Sequence, residues 1–220
     1  RGASVDWYSE TNTHVYHRIL SSFKSSDLAT YDSYYEKVKL RLSNYYDIIL
    51  IIKGDVVPFY FLDFLKDRYK NAQFILYLWD DVELLSTTKN KFHYFDRILS
   101  YNIIDCQKYN LILRPVFYAP VSGISKSKTV DVSIIGSYNS IRGNFIKKFR
   151  ELNSNIELYS HYYINPLTFI SNKLKWSTIN EFKFYKLPYN KMMELVACSK
   201  ACLDIPHSGQ QGLTTRSVEA

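Results

Sequence analysis

An isoleucine-rich segment without alternating polar residues, Tyr46 to Ile52, constrains the fold of this chain more than any other feature. Such a continuous apolar run is typical of a strand in a parallel sheet, where helices cover both faces. The run ends at Lys53-Gly54-Asp55, a sequence that favours a turn. The segment therefore predicts an α/β protein with a buried parallel strand.

A strand–helix–strand series follows this first strand. Apolar residues at helical spacing predict a helix from Phe59 to Tyr69, and the apolar run from Gln73 to Trp79 predicts a second strand. Shorter strand candidates are Phe95 to Ser100 and Asn110 to Leu113. Strands that alternate with helices in this way predict a doubly wound sheet.

A second series begins after residues 121–129, which have few core residues and many Ser and Lys and which we interpret as a linker. The predicted elements beyond it are a strand from Val130 to Ile135, a loop from Gly136 to Ser140, a helix from Ile141 to Leu152, a strand from Ile156 to Tyr159, a helix from Asn190 to Ser199 and a strand from Ala201 to Ile205. The sequence thus predicts two Rossmann-like halves, residues 1–120 and 130–220. The last helix has barely begun at Ala220, so we expect the C-terminal half to be incomplete and the chain to be most of a larger enzyme.

The net charge by itself excludes few classes of binding partner. The 220 residues include 28 Lys and Arg against 21 Asp and Glu, which gives a formal net charge of +7. The basic residues are dispersed, whereas nucleic-acid-binding proteins concentrate them on one face, so we expect no nucleic-acid partner. An anionic small substrate and a membrane surface both stay compatible with the charge.

The cysteines and the apolar runs bear on the cellular compartment. Three cysteines, Cys106, Cys198 and Cys202, are an odd number and do not form the disulfide framework of a secreted domain. No apolar run reaches the roughly 18 residues that a membrane-spanning helix needs. We therefore expect a cytoplasmic protein.

The segment from Asp204 to Glu219 has the composition of a phosphate-binding loop. It is polar, contains Gly209 and Gly212, and lies between a predicted strand and the start of a predicted helix. Backbone N–H groups and the helix dipole at such a position attract anions, and Arg216 could bind a diphosphate bidentately. The alternative interpretation is an ordinary capped helix after a turn, with Glu219 complementing the helix dipole.

Polar residues also follow two other predicted strands. Asp80 and Asp81 follow the second strand, where one of them could deprotonate an acceptor hydroxyl or bind the acceptor. The alternative there is a turn and a helix N-cap. Gly136, Ser137 and Arg142 open the second half and form a second candidate phosphate loop, although a lone glycine after a strand is a weak signal.

The histidines give weaker signals. His207 could hydrogen-bond a pyrophosphate or sugar oxygen, or it could simply be solvated. His14 and His17 lie three residues apart on a predicted helix, but no third ligand that converges with them can be identified. We therefore assign no metal site.

The C-terminal residues also carry a family resemblance. Gln211 to Glu219 resembles the donor-site signature of the GT-B glycosyltransferases, in which two glutamates stand eight positions apart. Glu219 matches the second glutamate, which in that family binds the donor ribose. Gln211 departs from the pattern at the position of the first, which usually lies near the sugar. Three longer segments are similar to bacterial capsule and lipopolysaccharide synthesis proteins of the CgeB-like kind: Leu203 to Arg216, Tyr46 to Asp55 and Phe74 to Asp80.

These resemblances imply a metal-independent glycosyltransferase of GT-B type. Residues 1–120 are then the acceptor-side domain, and residues 130–220 are the nucleotide-sugar-binding domain. The implied catalytic candidates are Asp80, Asp81 and Asp6, the last because the first loop of the N-terminal domain often supplies the base. The implied donor-binding residues are Gly136, Ser137, Arg142, His207, Gln211, Gly212, Leu213, Thr214, Thr215, Arg216 and Glu219.

The same resemblances imply the reaction and its partners. A nucleotide-sugar donor would pass its sugar to a hydroxyl of a cell-surface glycan or glycolipid, with no cofactor besides that donor substrate. A peripheral contact with the inner face of the plasma membrane stays open. The alternative, from a different functional class, is a non-catalytic module that binds a nucleotide sugar or phosphate, because Gln211 departs from the family pattern.

Overall fold

A computed structural model of the chain describes residues 2–10, 29–85, 87–117, 127–171 and 182–206. The chain divides into two compact units: the first contains the described residues up to Pro115, and the second contains those from Val116 onward. Each unit has its own parallel sheet.

The first unit consists of a parallel sheet with helices between successive strands. Its strands, hydrogen-bonded in this order, are β1 (Ile48–Ile52), β2 (Gln73–Leu78), β3 (Arg97–Ser100) and β4 (Ile112–Leu113). Its helices are α1 (Ala29–Lys39), α2 (Phe59–Arg68) and α3 (Ile103–Tyr109), with 3-10 helices at Val82–Leu84 and Thr88–Tyr94. The predicted strand–helix–strand series of this half is therefore confirmed, with strand ends that differ by a few residues.

The α2 helix illustrates how the sequence forms the core of this unit. Pro58 precedes the helix with a φ of −68°, a value that the proline ring fixes and that suits a helix start. Phe61, Leu62 and Leu65 lie on one face of the helix and are buried in the same core as Phe74 of β2. Each such side chain contributes about 1.5–3 kcal/mol when it is removed from water, so this face attaches α2 to the sheet.

The burial of β1 differs from the prediction, which has helices covering both faces of this strand. Ile48 and Leu50 are each 54% exposed, whereas Ile49 and Ile51 pack against the core. Successive residues of a strand point to opposite faces, so the face with Ile49 and Ile51 packs against the core and the face with Ile48 and Leu50 is largely exposed. The apolar run predicted the strand correctly but not its burial.

The second unit is smaller and has the same parallel arrangement. Its strands are β5 (Val130–Ser137), β6 (Leu158–Tyr163) and β7 (Ser199–Leu203), with β5 in the centre. Its helices are α4 (Ser140–Leu152), α5 (Pro166–Ser171) and α6 (Tyr189–Cys198). Ile146 of α4 is fully buried in one core cluster with Ile134 of β5 and Tyr162 of β6. This cluster attaches α4 to the sheet.

The predicted loop at Gly136 begins too early. Gly136 and Ser137 belong to β5, because they pair with Tyr162 and Tyr163 of β6. Only two residues, 138 and 139, separate β5 from α4. The end of the central strand therefore leads almost directly into the helix.

Both units have mixed α/β structure with parallel sheets, which is compatible with a Rossmann-like fold. In parallel sheets of this kind, ligands bind beyond the carboxyl ends of the strands. Among the described residues, no helix is both long enough and apolar enough to cross a membrane.

Candidate functional site

The carboxyl edge of the first sheet carries an ion pair between two neighbouring strands. Lys53 directly follows β1, and Asp80 lies two residues beyond the end of β2. Lys53 Nζ lies 2.6 Å from Asp80 Oδ2. Both side chains are about 40% exposed, at 42% and 39% respectively. This charged and accessible ion pair therefore lies at the edge of the sheet where parallel α/β folds bind their ligands.

Asp81, the second predicted carboxylate, has a different environment. It is buried and accepts a hydrogen bond from the Tyr101 hydroxyl. It is the N-cap residue of the 3-10 helix at Val82–Leu84, as the alternative interpretation predicts, although its side chain makes no capping hydrogen bond there. Of the two adjacent carboxylates, Asp80 is therefore the accessible one.

A second buried carboxylate lies next to Asp81. Asp105 of α3 accepts a hydrogen bond of 2.8 Å from the Val82 backbone N–H. Burial raises the pKa of Asp105, and the charge of Asp81 acts in the same direction. These buried groups hold the loop that follows β2 against the start of α3.

The turn after β1 has unusual backbone geometry. Lys53 has a φ of 68° and Gly54 a φ of 73°, so two consecutive residues are left-handed. A Cβ atom on Gly54 would lie 3.1 Å from Leu76 Cδ1, so glycine is required there by both space and conformation. Lys53 has no such freedom, and its left-handed conformation must be stabilised by the surrounding contacts.

A buried lysine provides those contacts. Lys91 is 3% exposed, and its ammonium donates to the carbonyl oxygens of Gly54 at 2.7 Å and Asp55 at 2.8 Å and to Thr87 Oγ1 at 3.0 Å. Thr88 donates to the Lys53 carbonyl at 3.1 Å. Burial lowers the pKa of Lys91. No local sequence pattern signals this role, because Lys91 lies in a polar segment 37 residues from Gly54.

Asp6, the third predicted catalytic residue, lies apart from Asp80 and Asp81. Its carboxylate accepts hydrogen bonds from Ser43 Oγ at 2.7 Å and from the Tyr46 hydroxyl at 2.6 Å, both of which precede β1. Asp6 is therefore at the amino end of β1, whereas Asp80 is at the carboxyl edge of the sheet. The Tyr46 and Ser43 hydroxyls also lower the pKa of Asp6, which makes it a weaker base.

Glu10, four residues after Asp6, does reach the carboxyl edge of the first sheet. Its Oε1 accepts a hydrogen bond of 3.2 Å from the Val56 N–H in the turn after β1. Burial raises the pKa of Glu10, and the charges of Lys53 and Lys91 oppose that shift. Of this acidic pair, the residue near the candidate site is thus Glu10 rather than Asp6.

In the second unit, Arg142 connects the ends of two strands. Its Nε and Nη2 donate to the Ile205 carbonyl beyond β7 at 2.9 and 2.6 Å, and its Nη1 donates to the Ser137 carbonyl at 2.7 Å. Asn139 caps α4 by accepting a hydrogen bond of 2.8 Å from the Arg142 N–H. Gly136, Ser137 and Arg142 are thus brought together at one carboxyl edge.

Gly136 lies beside the ring of Tyr162. A Cβ atom at Gly136 would lie 3.5 Å from Tyr162 Cε1 and 3.8 Å from Arg142 Nη1. Tyr162 is 2% exposed, and its hydroxyl has no hydrogen-bond partner among the described residues. The sequence singles out Gly136 as a phosphate-loop glycine but does not assign Tyr162 to a site, because tyrosine is abundant throughout the chain.

The remaining predicted donor-binding residues lie outside the described residues. They are His207, Gln211, Gly212, Leu213, Thr214, Thr215, Arg216 and Glu219. Their assignments stay predictions.

A pocket of about 380 Å³ lies elsewhere in the second unit. It is lined by Thr129 and Val130, at the start of β5, and by residues of α6 such as Lys191 and Glu194. It is therefore at the amino end of the central strand, away from Arg142 and Gly136. Among the described residues, no group of three or more His, Cys, Asp or Glu side chains could hold a metal ion.

The fold and these two carboxyl edges define the class of the molecule as an α/β protein with parallel sheets. No protein-family model matches the chain, and no curated protein matches it.

Proposed function

We propose that the chain is a glycosyltransferase of GT-B type, with its two α/β units as the two Rossmann-like halves. The observation that carries the proposal is the start of α4, which follows the central strand β5 after two residues and has Arg142 in its first turn. A helix N-terminus behind a parallel strand is a general binding position for phosphate groups. A nucleotide-sugar donor brings a diphosphate of that kind.

The proposed reaction moves a sugar from the donor to a hydroxyl of a capsule or lipopolysaccharide glycan. The α4 dipole and backbone N–H groups would stabilise the departing nucleoside diphosphate, so the proposal assigns no role to a metal. Arg142 supports this position because it fixes the strand ends around the helix start. Arg216 and Glu219 join the donor site on the strength of the family resemblance alone.

Asp80 is the proposed base for the acceptor hydroxyl. Its carboxylate is accessible, and the Lys53 ammonium at 2.6 Å holds it at the carboxyl edge of the first sheet. Asp81 is less suited to that role because it is buried against Tyr101, and Asp6 is less suited because it lies at the other end of β1.

A second candidate function is a non-catalytic module that binds a nucleotide sugar or phosphate. It is favoured by the state of the three predicted carboxylates, Asp6, Asp80 and Asp81, each of which already has a hydrogen-bond or ion-pair partner. Such partners reduce the capacity of a carboxylate to accept a further proton.

The test is release of nucleoside diphosphate from a panel of nucleotide sugars carrying uridine, guanosine, cytidine, adenosine or thymidine. We expect one donor to be turned over, and turnover to accelerate when a suitable glycan acceptor is added. Binding of a donor without release would favour the binding module. The absence of both binding and release across the panel would contradict both candidate functions.

A further inference from the structure

We propose that the Tyr162 hydroxyl donates a hydrogen bond to an anionic phosphate oxygen of a ligand bound at the start of α4. The inference rests on the proposed donor site and adds a binding residue to it. It is carried by three observations, which are the burial of Tyr162, the direction of its ring and the charges around it.

The first observation is the state of the hydroxyl. Tyr162 is 2% exposed, and its hydroxyl has no hydrogen-bond partner among the described residues. A buried polar group without a partner costs about 1–3 kcal/mol, and phenylalanine would fill the same space without that cost. The hydroxyl therefore has hydrogen-bonding capacity that the described residues leave unused.

The second observation is the direction of the ring. Tyr162 pairs with Gly136, and its Cε1 would lie 3.5 Å from a Cβ atom there, closer than its Cδ1 at 3.7 Å. The ring therefore extends across Gly136, which is one residue from the end of β5. The Arg142 guanidinium carbon lies 5.9 Å from the ring centroid. The ring of Tyr162 thus lies beside the last residues of β5 and near the Arg142 side chain, where α4, a helix of 13 residues, begins.

The third observation is electrostatic. Burial raises the pKa of Tyr162 to about 12, so the phenol stays protonated at neutral pH and can donate. Arg142 and Asp204 both act on this hydroxyl, in opposite directions. The Arg142 charge and the α4 dipole favour an anion at this place, whereas the Asp204 carboxylate opposes one. We therefore expect Asp204→Asn to bind inorganic pyrophosphate more tightly than the parent chain does.

The experiment compares the parent chain, Tyr162→Phe and the matched control Tyr163→Phe by isothermal titration with inorganic pyrophosphate and with nucleoside diphosphates. Tyr163 is the next residue of β6, and its side chain points to the opposite face of the sheet. We expect Tyr162→Phe to weaken pyrophosphate binding about tenfold or more, as for loss of a hydrogen bond to a charged group. Tyr163→Phe should change it less than twofold. The melting temperature of Tyr162→Phe should equal or exceed that of the parent.

Each outcome separates this inference from the proposed function. If Tyr162→Phe and the parent chain bind pyrophosphate equally, or if the parent binds neither probe, the inference is wrong. Nucleoside diphosphate binding that is indifferent to Tyr162→Phe would overturn the inference and leave the proposed function standing. Hydroxyl-dependent binding of pyrophosphate without binding of any nucleoside diphosphate would support the inference and contradict the proposed donor.

Discussion

Lys53 and Asp80 form an ion pair of 2.6 Å that joins the carboxyl ends of β1 and β2. The pair depends on a left-handed residue, because the φ of 68° at Lys53 determines where its side chain starts. The turn that contains Lys53 is in turn held by the buried ammonium of Lys91. A chain of contacts thus runs from a buried cation to an accessible carboxylate at the candidate site.

The left-handed conformation of Lys53 can be tested with two substitutions that both remove the ion pair. Lys53→Gly relieves the conformational cost, whereas Lys53→Val increases it because the branched Cβ clashes in this region. We expect Lys53→Val to be less stable than Lys53→Gly by about 1–2 kcal/mol. Urea denaturation of the two variants measures the difference. Equal stability would show that the turn relaxes to another conformation.

Lys91 is expected to be more important for stability than its exposed neighbours. Lys91→Met leaves the carbonyl oxygens of Gly54 and Asp55 without their donor, which should cost about 2–4 kcal/mol. Lys89→Met is the matched control, because Lys89 is exposed and contacts only the face of Tyr109 at 4.8 Å among the described contacts. It should change the free energy of unfolding by about 0.5 kcal/mol or less. Similar losses of stability in both variants would contradict the proposed role of Lys91 in holding the turn after β1.

The role of Lys91 depends on contacts between distant residues, which local sequence patterns do not predict. Apolar runs predict β1, β2 and the α2 helix because periodic burial leaves a local pattern. The exposure of Ile48 and Leu50 depends on which face of β1 packs against the core, and that is decided by tertiary packing rather than by the run itself. Lys91 and Gly54 are 37 positions apart in the sequence, so no local pattern predicts their contact.

The residues of the candidate site also differ in whether a local sequence pattern predicts their positions. The positions of Asp80 and Arg142 are predictable because residues within a few positions of the end of a parallel strand lie at its carboxyl edge. The separation of Asp6 from Asp80 is not predictable, because it depends on the course of the N-terminal segment past the start of β1. Tyr162 is not predictable for a different reason: tyrosine is abundant throughout the chain, and the position of this one beside Gly136 follows from strand pairing.

Arg142 should be sensitive to replacement by lysine. Two of its nitrogens share the Ile205 carbonyl and a third binds the Ser137 carbonyl, a forked arrangement that an ammonium cannot reproduce. We expect Arg142→Lys to lose about 1–2 kcal/mol of stability. Arg150→Lys is the control on the same helix, because Arg150 makes an exposed bond of 2.7 Å to Ser160 Oγ. Chemical denaturation should show little change in that variant.

Replacement by asparagine should have different effects on stability and activity at Asp80 and at Asp81. Asp80→Asn removes an exposed ion pair and should cost about 1 kcal/mol or less in stability. If Asp80 is the base, the same variant should lower acceptor-dependent release of nucleoside diphosphate about a hundredfold or more, with donor affinity unchanged. Asp81→Asn should instead lower stability, because its buried carboxylate binds the Tyr101 hydroxyl. A fully active Asp80→Asn would exclude the proposed base.

The buried carboxyl of Asp105 should make stability depend on pH in a defined direction. Burial raises the pKa of Asp105 above its ordinary value of 3.8, so the folded chain binds more protons than the unfolded chain just above that pH. Its contribution is therefore fully present below about pH 3.8 and is lost as the pH rises through the folded pKa. Asp105→Asn keeps an oxygen for the Val82 N–H and removes the titration. We expect the variant to gain stability over the parent chain as the pH increases from 4 to 7.

Asp131 provides a control of opposite sign for that experiment. The Lys200 ammonium at 2.6 Å lowers the pKa of Asp131, so its contribution is present above the unfolded pKa and is lost as the pH falls. Asp131→Asn should therefore lose stability relative to the parent chain by a nearly constant amount from pH 5 to 7, and this loss should begin to shrink at pH 4. Urea denaturation of the parent and both variants at pH 4, 5, 6 and 7 measures the two trends. Parallel pH profiles for the parent and Asp105→Asn would show that the buried carboxyl does not titrate in this range.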